Sequence, residues 1–189
     1  IDHADMRSAI VFFNHSGEQL DVTLPESLSG TISGFQGVGD GSIMFSVTSY
    51  TQPVQYFSFD FTNNSLELLW EEAIPGFNPN DYTEISTNYK SKDGTMVPIT
   101  YSYKSSTKLN KDTPIFLYAY GGYNISIRPS FTPKYVAWLE MGGVLAVANI
   151  RGGGEFGKAW HNAGRLGTKQ NVFDDFLYAS KFLESNAIG

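Results

Sequence analysis

The chain has 189 residues, 41% hydrophobic and 15% aromatic, enough for one domain or parts of two and more apolar than a disordered chain. Its net charge of −6, with no cluster of Lys and Arg, argues against a nucleic-acid groove, which needs cations to replace the counterions around phosphates. The absence of cysteine excludes disulfides, zinc-thiolate sites and thiol catalysis, and suits either redox environment.

The opening Ile1-Asp2-His3-Ala4-Asp5-Met6-Arg7 has no apolar signal-peptide core, and the longest apolar runs are too short to cross a bilayer, so the expectation is a cytoplasmic protein with no membrane partner. Asn-x-Ser triplets at Asn14, Asn63 and Asn124 are of a kind common by chance. Residues 1–75 read as all-β. Short strands are expected at Ala9–Phe13, Thr31–Phe35, Ser42–Val47 and Gln55–Phe61, separated by Gly, Asn, Asp and Ser turns. Their spacing, of roughly ten residues, suits propeller blades or a sandwich, and no blade-length repeat is evident.

Pro, Gly and Asn concentrate in Ala73–Asp81 and mark a boundary, placed at residues 75/76. Beyond it, Tyr82–Lys90 and Val97–Lys104 alternate like two antiparallel strands joined through Ser91-Lys92-Asp93-Gly94, whose Asp-Gly is a strong turn signal. Ile115–Tyr120 reads as a buried strand breaking into Gly121-Gly122. A helix is expected at Tyr135–Glu140 and a second apolar strand at Gly143–Ile150, ending in Arg151-Gly152-Gly153-Gly154-Glu155. Ala159–Arg165 and Val172–Ser185 follow, the latter helical, with Asp174 and Asp175 placed in its first turn. Strand, helix, strand predicts a parallel pair whose carboxyl-end loops carry any chemistry.

The segments Tyr120-Gly121-Gly122-Tyr123-Asn124-Ile125-Ser126 and Gly142 to Gly157, extended by Trp160-His161 and Lys169 to Phe176, resemble the prolyl oligopeptidase family of serine peptidases. The resemblance implies an α/β-hydrolase fold: residues 76–189 would be the first part of the catalytic domain, and residues 1–75 the last strands of a seven-bladed β-propeller. It implies cleavage of short peptides after proline through an acyl-enzyme, with the propeller limiting access to small substrates. Neighbouring branches offer an oligopeptidase B-like or a peptide-macrocyclising relative, and the loop Gly121-Gly122-Tyr123-Asn124 favours the prolyl branch over the first. A propeller interaction module fused to an inactive hydrolase segment is the non-enzymatic alternative. The expected partners are short proline-containing peptides and the remainder of the same polypeptide, with a monomer at full length.

On its own Tyr120 reads as a sheet-end tyrosine making a structural hydrogen bond. The resemblance instead implies that its phenol donates to the oxyanion of the tetrahedral intermediate, beside a backbone N–H. Tyr123 falls where the family commonly has a Phe lining the proline-accepting pocket, so its added hydroxyl needs a partner or water. Asn124 is expected to hold the turn by side-chain to backbone bonding.

Gly152-Gly153-Gly154-Glu155-Phe156-Gly157 also satisfies G-x-G-x-x-G, with Asp174 or Asp175 about twenty residues on. A ribose-binding acid caps a strand, whereas these aspartates open a helix, so the dinucleotide reading is set aside and no cofactor is expected. Arg151, Glu155, Asp174 and Asp175 read as a structural ion-pair network, and His161 as a packed or hydrogen-bonding helix residue. No histidine pair has metal-ligand spacing, so no metal is expected. No Gly-x-Ser-x-Gly occurs; in α/β-hydrolase order the resemblance implies a chain stopping roughly a dozen residues before its serine and inert alone.

Overall fold

A computed structural model describes residues 8, 10–20, 22, 28–39, 41–186 and 188. They form two compact units: residues up to Pro79 with Pro129–Thr132, and Asn80–Arg128 with the chain from Pro133 onward.

In the first unit β1 (Thr31–Gly37), β2 (Ser42–Thr48), β3 (Gln55–Asp60) and β4 (Ser65–Glu71) form an open antiparallel sheet in sequence order. Period-two alternation explains the central strands. Phe45 and Val47 on β2 and Phe57 and Phe59 on β3 are buried, with Ser46 and Ser58 between them. Phe45 stands opposite Phe57, their rings stacked at 5.9 Å, and Phe12 stacks on Phe59 at 5.2 Å. β4 was not among the expected strands. The register slips between Tyr56, opposite Trp70, and Phe57, opposite Leu68, so Leu69 is an extra residue and the bulge breaks the alternation that would have revealed the strand. The strand expected at Ala9–Phe13 is absent among the described residues: Phe13 only bridges Gln19 across the Asn14–Gly17 turn, and Ala9 lies outside them. Thr48 Oγ1 accepts from the Phe131 N–H at 3.2 Å, and Phe77 packs on Phe131, which draws Pro129–Thr132 into this unit.

In the second unit β5 (Tyr82–Lys90) and β6 (Met96–Lys104) form the expected hairpin, its turn closed by the Ser91 N–H on the Thr95 carbonyl at 2.8 Å. β8 (Val144–Ala148) runs antiparallel to β6 and parallel to β7 (Ile115–Tyr118), in the order β5-β6-β8-β7. Three helices, α1 (Pro133–Glu140), α2 (Gly157–Asn162) and α3 (Gln170–Ser185), complete the unit. All five residues of β8 are buried, in keeping with a strand covered on both faces. β7 differs from the buried strand expected: it is the last strand in the order, and Phe116 is 46% exposed.

Helix α3 buries Val172, Asp175, Ala179 and Leu183, a helical stripe packed into the core with Tyr89, Val97, Ile99 and Ile150. Phe173, Phe176 and Leu177 lie off that stripe and are exposed. Because α3 begins at Gln170, Asp174 and Asp175 fall in its second turn and not its first. No described helix is long and apolar enough to cross a membrane.

Candidate active site

Strands β7 and β8 are parallel and paired from Ile115 with Val144 to Tyr118 with Val147, so both chains leave the sheet at the same end. That shared exit is where α/β sheets place ligands. Tyr120 lies two residues past β7 and the glycine-rich loop begins three residues past β8, and the two loops lock together. The Asn124 N–H donates to the Gly152 carbonyl at 3.3 Å, the Gly154 N–H to the Ile125 carbonyl at 3.2 Å, and the Ile125 N–H to the Gly122 carbonyl at 3.0 Å.

Two glycines make this approach possible. Gly121 has φ +58°, and a side-chain carbon there would stand 2.6 Å from Ile150 Cγ1 and 2.8 Å from Val172 Cγ1. Gly152 has φ +93°, and a side-chain carbon there would meet the Gly121 carbonyl oxygen at 2.5 Å. Both the dihedral and the space exclude a side chain.

Side chains brace the loops from behind. Glu155 Oε1 accepts from the Ile127 N–H at 3.0 Å and from Asn149 Nδ2 at 3.2 Å, while Asn149 Nδ2 also donates to the Ile127 carbonyl at 2.7 Å. His161 Nδ1 lies 2.8 Å from the Gly152 carbonyl; a carbonyl only accepts, so Nδ1 carries the proton. Lys169 Nζ donates to the Gly121 carbonyl at 3.0 Å. His161 is thus a hydrogen-bonding helix residue. Asn124 holds the turn through its backbone and its φ of +58°, not through a side-chain bond.

Arg151 lies in a buried ion-pair cluster. It is 4% exposed and Asp175 is 0%. Its Nη2 is 2.6 Å from Asp175 Oδ1 and its Nη1 2.6 Å from Asp93 Oδ2. Ser91 Oγ donates to Asp175 Oδ1 at 2.5 Å, and the Tyr89 hydroxyl donates to the Asp175 carbonyl at 2.7 Å. The hydrogen bond from Arg151 pulls the Asp93 carboxyl down to about 2, the bond to Asp175 raises the Arg151 guanidinium, and burial pushes the Tyr89 phenol up. Of the four charges expected to form one network, Arg151 and Asp175 do so. Glu155 serves the Ile127 loop, and Asp174 pairs with Lys92 at 3.5 Å. The partners that complete the cluster, Ser91 and Asp93, were expected only as a turn; the positive φ of Gly94 sets that turn, and nothing local announces its distant charge.

The glycine loop is not built for a dinucleotide. The Gly152 N–H donates to the Trp160 carbonyl at 3.1 Å and the Gly154 N–H to Ile125, so neither amide is left for a phosphate. Among the described residues no group of three or more His, Asp or Glu stands close enough to hold a metal ion.

Tyr120 is 42% exposed, and its hydroxyl has no hydrogen-bond partner among the described residues. Tyr123, three residues on, has φ +52° and is 87% exposed. The arrangement therefore offers a neutral phenolic donor at the end of β7, on a turn whose backbone is fixed by the β8 exit.

Residues 129–188 match the family model described as "Prolyl oligopeptidase family". The chain is 42% identical over 159 residues to a prolyl endopeptidase of Elizabethkingia meningoseptica, covering 84% of this chain and 22% of that protein. It is 35% identical over 186 residues to the "Dual function macrocyclase-peptidase POPB" of Amanita bisporigera, covering 96% of this chain and 25% of that protein. Among solved structures, prolyl oligopeptidase B of Galerina marginata, bound to a 35mer hydrolysis and macrocyclization substrate, superposes with a TM-score of 0.89 at 32% identity, covering 97% of this chain and 26% of that one. The chain spans about a quarter of the length of the curated relatives it matches. With sequence and fold agreeing over nearly all its residues, this chain belongs to the prolyl oligopeptidase family of serine peptidases.

Proposed function

We propose that these residues belong to a serine-type oligopeptidase that cleaves short peptides after proline through an acyl-enzyme, and that Tyr120 is a donor to the oxyanion of its tetrahedral intermediate. In this reading residues 76–189 are the first part of an α/β-hydrolase domain and residues 1–75 the last strands of a seven-bladed propeller. The sequence given holds no Gly-x-Ser-x-Gly, so the nucleophile is assigned to sequence outside these 189 residues. Cytoplasmic location and a monomeric state are part of the same proposal.

One observation carries it. The Tyr120 hydroxyl stands half-exposed and without a partner among the described residues at the carboxyl end of a parallel strand, on a turn locked at both flanks. A neutral donor held there needs no reorganisation as charge develops on the carbonyl oxygen, which is the condition for oxyanion stabilisation. Tyr123 supplies an exposed ring three residues away, suited to an apolar proline side chain.

The test is Tyr120→Phe in the whole enzyme that carries these residues. The substitution keeps the ring and removes one donor, so kcat with a proline-containing peptide should fall by ~10²–10³ while KM stays within about twofold. Unchanged turnover, or a defect confined to KM, removes the oxyanion role.

The macrocyclase relatives at 32–35% identity support a second reading of the same chemistry. The acyl-enzyme ester is then attacked by the peptide's own terminal amine in place of water, giving a cyclic product and the free serine. A long proline-containing peptide distinguishes them: hydrolysis gives two linear products that together contain one added water, and cyclisation gives a ring lighter than its linear counterpart by one water.

A further inference from the structure

We infer that Lys169 is a positioning residue for the phenol of Tyr120, acting through the carbonyl of Gly121. The inference rests on the proposed oxyanion role of Tyr120. The Gly121 carbonyl belongs to the peptide that joins two consecutive glycines, Gly121 and Gly122, the pair of residues least able to hold one backbone orientation by their own sterics. Downstream the turn is fixed by backbone bonds: Ile125 N–H to the Gly122 carbonyl and Asn124 N–H to the Gly152 carbonyl. Upstream β7 ends at Tyr118. Between them, Lys169 is the one side chain among the described residues that hydrogen-bonds the backbone of residues 120–123, with Nζ 3.0 Å from the Gly121 oxygen.

The geometry suits this task. Lys169 lies immediately before α3, whose Val172 Cγ1 stands 2.8 Å from where a side-chain carbon on Gly121 would be, so one short segment supplies both an apolar wall and a charged donor to the same residue. No carboxylate pairs with Lys169 among the described residues; its ammonium reaches the Gly121 carbonyl and lies 5.9 Å from the centre of the Phe173 ring. A charge-assisted bond to a carbonyl is stronger than a neutral one, and here it selects one orientation of a peptide that glycine would otherwise leave free. Lys169 does not touch the reacting atoms. It aims the residue that does.

The experiment is a double-mutant cycle in the whole enzyme, with Lys169→Met, Lys169→Arg, Tyr120→Phe and the Lys169→Met/Tyr120→Phe double variant, each assayed with a proline-containing peptide and checked by thermal melting. Lys169→Met should lower kcat by roughly tenfold with KM within about twofold, in line with loss of one hydrogen bond from a charged donor. Lys169→Arg should recover part of that loss. In the Tyr120→Phe background Lys169→Met should cost less than about twofold, because the donor it aims is already gone. An equal loss in both backgrounds, or no loss in the first, overturns the inference and leaves the role of Tyr120 intact. Wild-type turnover in Tyr120→Phe alone overturns the reading of Tyr120 and this inference with it. Should Lys169→Met fail to fold, Lys169→Gln, which keeps a neutral donor, enters the same cycle and is judged by the same criteria.

Discussion

Arg151 and Asp175 face each other through four hydrogen bonds: the Arg151 backbone N–H to Oδ2 at 3.0 Å, Nε to Oδ2 at 2.9 Å, Nε to Oδ1 at 3.2 Å and Nη2 to Oδ1 at 2.6 Å. One residue leaves β8 and the other lies in the second turn of α3, so the pair fastens the start of the glycine-rich loop to the helix behind it. With Asp93 and Ser91 added, the β5–β6 turn joins the same cluster. A charge this deeply buried is tolerated only because its partners are in place.

Asp175→Ala should therefore be among the costliest single changes in this unit. It leaves the Arg151 guanidinium buried with only Asp93, itself nearly half exposed, to balance it. A loss of ~3–5 kcal/mol is expected from denaturant titration of the whole enzyme. A loss under ~1 kcal/mol would mean that water reaches Arg151 and that the pair is not a structural anchor.

Asp93 gives a pH signature of smaller size. Its folded carboxyl is held at about 2, below the ordinary 3.8, first by the hydrogen bond from Arg151. A depressed carboxyl contributes stability that is present above its unfolded value and is lost as pH falls through the folded one. The contribution should fade between about pH 4 and pH 2, and solvent screening limits it to under ~1 kcal/mol. Asp93→Asn should flatten that segment of a stability-against-pH curve while leaving the neutral end slightly lowered. An unchanged acid limb would show that Asp93 does not pair in solution.

Gly121→Ala tests the lock on the Tyr120 turn. The added carbon meets Ile150 and Val172 inside 3 Å and must adopt φ +58°, so a stability loss of ~1–3 kcal/mol is expected together with a fall in kcat. Gly39→Ala, at φ +85° but with open space around it, should lose stability through its dihedral alone and leave kcat unchanged. Equal kinetic effects at the two positions would sever the turn's geometry from catalysis.

Tyr123 separates a ring from its hydroxyl. Because the residue is so exposed, its hydroxyl is free to remain in water, and Tyr123→Phe should leave kcat/KM for a proline peptide within about twofold. If Tyr123 lines the substrate pocket as proposed, Tyr123→Ala removes that apolar surface and should lower kcat/KM by roughly tenfold or more, mainly through KM. Wild-type kinetics in Tyr123→Ala would take the residue out of the substrate pocket.

Much of the second unit is legible in the chain itself. The Asp93-Gly94 turn with alternation on either side predicts the β5–β6 hairpin, and the apolar run at Gly143–Ile150 predicts β8, because turn chemistry and hydrophobic period act within a few residues. The family can be recognised from the motifs around Tyr120 and the glycine loop, and it is that resemblance, not local pattern, that makes Tyr120 and Tyr123 candidates. What fails locally fails for a physical reason: β4 is hidden by a bulge that shifts its period, and β7 is less buried than its composition suggests because burial depends on how many strands lie beside it.

Only the tertiary structure decides which charges meet. Arg151, Asp175, Asp93 and Ser91 come together from β8, α3 and the β5–β6 turn, across up to 84 positions of sequence, and long-range Coulomb and hydrogen-bond partners leave no periodic trace. The same holds for the stripe that α3 buries. Ala179 and Leu183 turn inward as their helical spacing suggests, but Phe173, Phe176 and Leu177 stay outside while Val172 and Asp175 turn in, the carboxylate being buried only with Arg151 as its partner. The reach of Lys169 to the Gly121 carbonyl, 48 residues away, belongs to this class: a lysine and a glycine in the sequence, a fixed peptide beside Tyr120 in the fold.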